Sequence, residues 1–271
     1  MAAVVAVPLA LLGACIGSFL NVVAWRLPRH ESVVHPGSHC PSCGHSVRWH
    51  DNLPVLGWLW LAGRCRDCGW TIPTRYPLVE ALSSGLWVSA AWARGLPVDQ
   101  SLLGAEAAAG LSLVAGVVLV SLLLVLLLID CDHLWLPEPL CRAGVLLGLI
   151  VMLSAPSQLL PHLLAAAAAL LGMEALSALG ETILGQPALG LGDAKLAAMG
   201  GAWLGPAGIA AAMALAVCTG AIIGLMGRLS GRLGPRQPFP FGPFIALGIW
   251  LVWLTGPIWW WQNWIRLIGV A

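Results

Sequence analysis

Two aspartates and four cysteines stand out as residues whose type and spacing can do chemistry. Asp130 closes an apolar run in Leu126-Leu-Leu-Ile-Asp130-Cys-Asp132-His133, and Asp193 opens another in Gly190-Leu-Gly192-Asp193-Ala-Lys195. Carboxylates inside apolar segments are costly and therefore functional candidates. Two that meet at one site share a proton and titrate as a pair. Such a pair suits hydrolysis: one carboxylate takes a proton from water while the other, protonated, polarises the scissile carbonyl. Gly190 and Gly192 strip the side chains around Leu191, so the backbone can bend or approach closely just before Asp193. A helix starting there favours an ionised carboxylate. Lys195 lies two residues on and points away from Asp193 on a helix. The structural alternatives are a helix-end role for Asp130 and an N-cap for Asp193. Asp132 reads as a solvated loop residue and His133 as structural.

The cysteines form two C-x-x-C pairs, Cys40-Pro-Ser-Cys43 and Cys65-Arg-Asp-Cys68, separated by 21 residues. Each pair fits a tight turn that aims two thiolates at one point, and two such turns make a closed tetrahedral zinc site, structural rather than catalytic. The surrounding segment, 27–76, is rich in Pro, Gly, Cys, His and Arg. So small a domain with few apolar side chains needs a metal clip. Two disulfides or redox pairs are the alternative, disfavoured in a reducing compartment. His39 and His45 flank the first pair and could replace a ligand. Cys15, Cys131, Cys141 and Cys218 lie in or beside apolar spans and read as small hydrophobes.

The elements that must position these groups are membrane spans. Of 271 residues, 59% are hydrophobic and 9% charged, and mean hydropathy is +0.88. A soluble domain carries about 25% charged residues, so an ordinary soluble enzyme is excluded. A net charge of +1 gives no nucleic-acid footprint. The expected fold is an all-α polytopic membrane protein of about eight transmembrane helices: 3–25, 77–94, 103–129, 139–155, 158–184, 191–204, 206–227 and 241–260. Breaks rest on Pro156, Pro187 and Pro206. The first segment lacks a basic start and a small-residue cleavage site, so it reads as a span rather than a signal peptide. The expected domains are residues 1–26, a first span; 27–76, a cytoplasmic zinc domain with four cysteine ligands; and 77–271, the membrane domain that carries both aspartates.

Arg26, Arg29, Arg48, Arg64, Arg66 and Arg75 crowd the first loop, and Arg228, Arg232 and Arg236 a late one. The positive-inside rule makes that side cytoplasmic. Arg94 and Arg266 fall near the other side. Asp130 and Asp193 then both sit at the cytoplasmic boundary. Glu80, Glu106, Glu174 and Glu181 could line a polar cavity, but read first as structural groups that pair with Arg or snorkel, and Trp259-Trp-Trp261 with Trp264 reads as an interfacial anchor.

With these residues in place the chain resembles the type IV prepilin peptidases, or leader peptidase/N-methyltransferases. The resemblance runs in order through Gly17-Ser-Phe-Leu-Asn-Val-Val-Ala-Trp-Arg-Leu-Pro28, the two cysteine pairs, Trp49-His-Asp51-Asn-Leu-Pro54, Arg75-Tyr-Pro-Leu-Val-Glu80, Asp130 with Leu136-Pro137-Glu138, the G-x-G-D motif ending at Asp193, and Phe241-Gly-Pro-Phe-Ile-Ala-Leu-Gly248. It implies a bacterial inner-membrane aspartic peptidase with Asp130 and Asp193 as catalytic pair. Implied substrates are type IV prepilins and the pseudopilins of type II secretion, cut at the cytoplasmic face. Methylation of the new N-terminus from S-adenosylmethionine is also implied; no glycine-rich fingerprint marks that cofactor. Glu138 stands where Asp or Asn is common in the family, and Pro187 where many members carry an acid. The competing classes are a small ion- or proton-coupled transporter with a zinc-clipped regulatory domain, which would use Glu174 near the midplane, and a non-enzymatic scaffold. The sequence leaves the oligomeric state open.

Overall fold

The computed structural model describes residues 2–93, 107–185, 190–234, 237–267 and 269. Arg94, Glu106, Pro187 and Arg236 lie outside the described residues. As expected, the protein is built of helices: α1 (Ala2–Arg26), the single-turn α2 (Leu56–Trp60), α3 (Arg75–Trp92), α4 (Ala107–His133), α5 (Glu138–Met152), α6 (Pro156–Leu184), α7 (Leu191–Leu229), α8 (Gly242–Thr255) and α9 (Pro257–Leu267). The chain divides into two compact units, one formed by Met1–Trp92 and Gly116–Val125, the other by Ala93–Ala115 and Leu126–Ala271.

Among the described residues, length and composition qualify four helices as membrane spans, or up to five if the bent pair α8–α9 counts as one, where about eight were expected. The differences have physical causes. α3 opens on Arg75 and carries Glu80. α5 has 15 residues, against the ~20 a span needs. The expected pair 191–204 and 206–227 falls within α7, 39 residues in which two helices follow one another across a kink at Gly205, where the sequence placed the break. At about 1.5 Å per residue such a rod exceeds the ~30 Å hydrocarbon layer. It bends at Gly205, whose φ of 66° and ψ of −174° are not helical. Pro206 has no N–H, so the Ala202 carbonyl one turn earlier loses its helical partner. The ring of His162 on α6 replaces it, with Nδ1 3.1 Å from that oxygen. The last expected span stops at Thr255, because α9 turns 98° away. Trp259, Trp260, Trp261 and Trp264 lie on this short turned helix, the geometry of an interfacial anchor.

In the first unit α1 and α3 pack through small residues. A side chain at Gly17 would reach within 2.8 Å of the Glu80 Cα, and the Ser83 hydroxyl donates to the Gly13 carbonyl at 2.6 Å. Between the two helices the insert begins at buried Arg26, which donates to the Ser32 carbonyl at 3.0 Å. In the second unit α7 is central. Trp203 donates to the Gly144 carbonyl of α5 at 2.8 Å, and Gly201 lies so close to α6 that a Cβ would meet the Ala165 backbone at 2.7 Å. Leu126, Ile129, Leu196, Met199, Ile245 and Ile249 fill the core around it. Small residues admit such approach where lipid supplies no hydrophobic drive between helices.

Candidate active site

Asp130 occupies the last turn of α4 and Asp193 the first turn of α7. Both are buried, 5% and 9% exposed, although each sits at a helix end where water would ordinarily reach it. They belong to the same compact unit and are within electrostatic reach of each other. The two glycines of the motif act as their residue type demands. Gly190 leaves open the space beside Asp193, since a Cβ there would stand 3.3 Å from Asp193 Oδ2. Gly192 packs against Leu136, where a Cβ would come within 3.0 Å of the Leu136 Cβ. The segment following Asp130 is thereby laid against the helix that carries Asp193.

The structure adds a residue that sequence reasoning left without a role. Gly242, the first residue of α8, donates its backbone N–H to Asp130 Oδ2 at 2.9 Å. A Cβ at this position would stand 2.7 Å from that oxygen, so only glycine admits the contact. A Gly-Pro dipeptide at the start of an apolar run was the available signal, because free N–H groups at a helix start attract anions. Lys195, expected to miss Asp193, pairs instead with Glu138 at 3.1 Å. Glu138 also pairs with Arg142 one turn along α5. These ion pairs tie the start of α5 to the first turn of α7. Asp132 and His133 are exposed, as are Glu174 and Glu181 on α6.

The four cysteines converge, their sulfurs all within 4.8 Å of one another. Two equivalent knuckles bring them there. Cys40 N–H donates to the His45 carbonyl and Gly44 N–H to the Cys40 carbonyl; Cys65, Trp70 and Gly69 repeat the pattern, all four bonds 2.8–2.9 Å. Gly44 and Gly69 close the turns at φ of 73° and 72°, a region open to glycine at little cost. The nearest sulfurs belong to different knuckles, Cys40 to Cys68 at 3.7 Å and Cys43 to Cys65 at 4.0 Å. Four thiolates about 2.3 Å from a tetrahedral zinc lie about 3.8 Å apart, so the donor set fits that ion, and the set closes without His39 or His45. A backbone N–H from Cys43 draws the Cys40 thiol down to about 6. Cys43 accepts an N–H from His45, yet burial and its three sulfur neighbours push it up to about 12. A bound cation would take the place of the protons that such crowded sulfurs share.

Apolar helices, an insert with four convergent cysteines and two buried carboxylates are the features of a membrane-embedded peptidase. Residues 11–94 match the bacterial Peptidase A24 N-terminal domain, and residues 117–225 the type IV leader peptidase family. The chain is 39% identical over 233 residues to a prepilin leader peptidase/N-methyltransferase of Myxococcus xanthus, covering 85% of this chain and 66% of the relative. It is 32% identical over 263 residues to the type 4 prepilin-like proteins leader peptide-processing enzyme of Escherichia coli, covering 87% and 88%. A prepilin leader peptidase/N-methyltransferase of Pseudomonas aeruginosa is 33% identical over 270 residues, covering 91% and 89%. No solved structure gives a significant match. The chain belongs to the type IV leader peptidase family.

Proposed function

We propose that Asp130 and Asp193 form the catalytic pair of a peptidase that removes the leader from type IV prepilins and pseudopilin precursors at the cytoplasmic face of the bacterial inner membrane. The observation that carries this reading is the burial of two carboxylates from separate helices within reach of each other. Working with one proton between them, the pair divides two roles. The ionised carboxylate takes a proton from water as its oxygen attacks the scissile carbonyl, and the protonated one donates to that carbonyl oxygen. The proton gained from water then passes to the departing amine. The Gly242 N–H fixes one oxygen of Asp130, which orients the carboxylate.

The arginines of the insert support a cytoplasmic location for residues 27–76, and the membrane peptidase domain follows at 77–271. Zinc, held by Cys40, Cys43, Cys65 and Cys68, supplies this insert with a structural cross-link. By likeness to relatives named N-methyltransferases, the chain also methylates the new N-terminus from S-adenosylmethionine. A transporter would need carboxylates lining an interior path, and Glu174 and Glu181 face outward on α6.

Coexpression with a prepilin, read by mass spectrometry, tests both activities at once. Asp130→Asn and Asp193→Asn each abolish cleavage while the protein still inserts. Processing at the wild-type rate by either variant overturns the assignment of the pair.

A further inference from the structure

The first unit contains a cavity of about 200 Å³ that borders the cysteine site at Cys40 and Cys65 and runs on to Glu80 of α3. It lies inside the unit, between the cysteine insert and the facing parts of α1 and α3, with Glu80, Trp58, Trp70, Tyr76, Arg48 and Asp51 among its walls. Glu80 is the anomaly. It is 7% exposed, and its partners are the Val55 N–H at 2.6 Å and the Ser18 hydroxyl. Neither is a cation. Asp51, on another wall, is already neutralised by a two-pronged bond to Arg66 at 2.7 and 2.5 Å. A buried carboxylate with hydrogen bonds but no countercharge among the described residues, in a pocket with aromatic walls, is built to receive a positive group. Holding it also constrains the chain, for Val55 donates from a backbone at φ of 62°, strained for a β-branched residue.

We infer that this cavity is the seat of the methyl donor, with the Glu80 carboxylate and the aromatic walls receiving the sulfonium of S-adenosylmethionine. The inference rests on the methyltransferase reading above. The donor carries the three groups the walls can recognise. Its sulfonium and ammonium are cations for Glu80. Its carboxylate suits Arg48, which is half exposed and held by a 3.5 Å contact to Asp67. Its base suits Trp70, whose side chain stays 40% exposed at the cavity margin, as stacking requires. The volume takes the sulfonium and its methionine arm and leaves the nucleoside to the margin. In the transfer that the donor supports, an amine nitrogen bonds to the methyl carbon, the carbon–sulfur electron pair stays on sulfur, and the amine loses a proton.

Isothermal titration of the full-length, zinc-loaded protein in detergent with S-adenosylmethionine and with the uncharged thioether S-adenosylhomocysteine tests the site directly. The wild-type protein prefers the sulfonium by about tenfold. Glu80→Gln keeps the hydrogen bonds and loses that preference. Trp70→Leu weakens both ligands alike by about fivefold or more. Zinc content and melting temperature establish that both variants are folded. Wild-type dissociation constants in both folded variants overturn the assignment of the cavity. If the wild-type protein binds neither ligand and leaves a cleaved pilin unmethylated, the methyltransferase reading itself fails, and the cavity assignment with it.

Discussion

The cysteine cluster and the aspartate pair are built on opposite plans. Each cysteine pair lies on one tight turn, so two local folding events nearly finish a cluster that could hold a metal ion. The aspartates come from different helices, and Asp130 is held by an N–H donated from 112 residues along the chain. The first site therefore depends on a ligand and little on distant packing. The second depends on packing and on no ligand. On the proposed assignment, residues that touch neither aspartate, such as Gly201 against α6, matter to the pair through packing in a way that residues far from the cysteines do not matter to the sulfur cluster.

The sharpest test of this contrast is removal of a carboxylate. Asp130→Asn or Asp193→Asn lowers the cleavage rate by about 10²–10⁴-fold, with zinc content by atomic absorption unchanged. The next is the converse. Cys40→Ser together with Cys43→Ser, or exhaustive chelation, releases zinc and exposes the insert to protease, because folding there is coupled to the metal. If the chelated insert resists proteolysis as the loaded protein does, the ligand-dependent plan is wrong. Gly242→Ala has a smaller effect, lowering cleavage by about tenfold, since the added methyl must displace the Asp130 carboxylate or the start of α8. Gly201→Val should act in the same direction through packing alone, read as cleavage rate against zinc content. Glu138→Gln changes least in the second unit. Its partners Arg142 and Lys195 are 76% and 34% exposed, and pairs of that kind contribute about 0–1 kcal/mol.

A pH measurement closes the series. Arg66 holds the Asp51 carboxyl below its ordinary range by hydrogen bonding. A depressed folded value means that the stabilisation is fully present above the unfolded pKa of about 4, and is lost as the pH falls through the lower folded value. The melting-temperature gap between wild type and Arg66→Gln should stay constant above about pH 5 and shrink in stronger acid. A gap that persists there removes the ion pair as its cause.

The same contrast governs what could be read from the sequence. Cys-x-x-Cys pairs and the G-x-G-D motif are local patterns, and the structure gathers the four sulfurs and lays both motif glycines beside their intended neighbours. The helical class follows from composition. Span boundaries were harder, because apolar content does not distinguish a 15-residue helix from a full crossing, although Pro206 did mark the kink in α7. Gly242, the Glu138–Lys195 pair and the buried setting of Glu80 were illegible for another reason. Each acquires its meaning from a partner on a different element, and a carboxylate near a span end reads the same in sequence whether it meets lipid, an arginine or an empty cavity.

The bend in α7 has a further consequence. Because a histidine from α6 satisfies the carbonyl that Pro206 abandons, the bend is fixed by a neighbour and not by the chain beyond it. The segment from Leu191 to Gly205 is thus moored to α6 at the bend itself. The far arm is fixed separately, by α8, where Gly248 lies against the Ala212 backbone and Phe241 against Gly220, while His162 and the proline preserve the heading of Asp193.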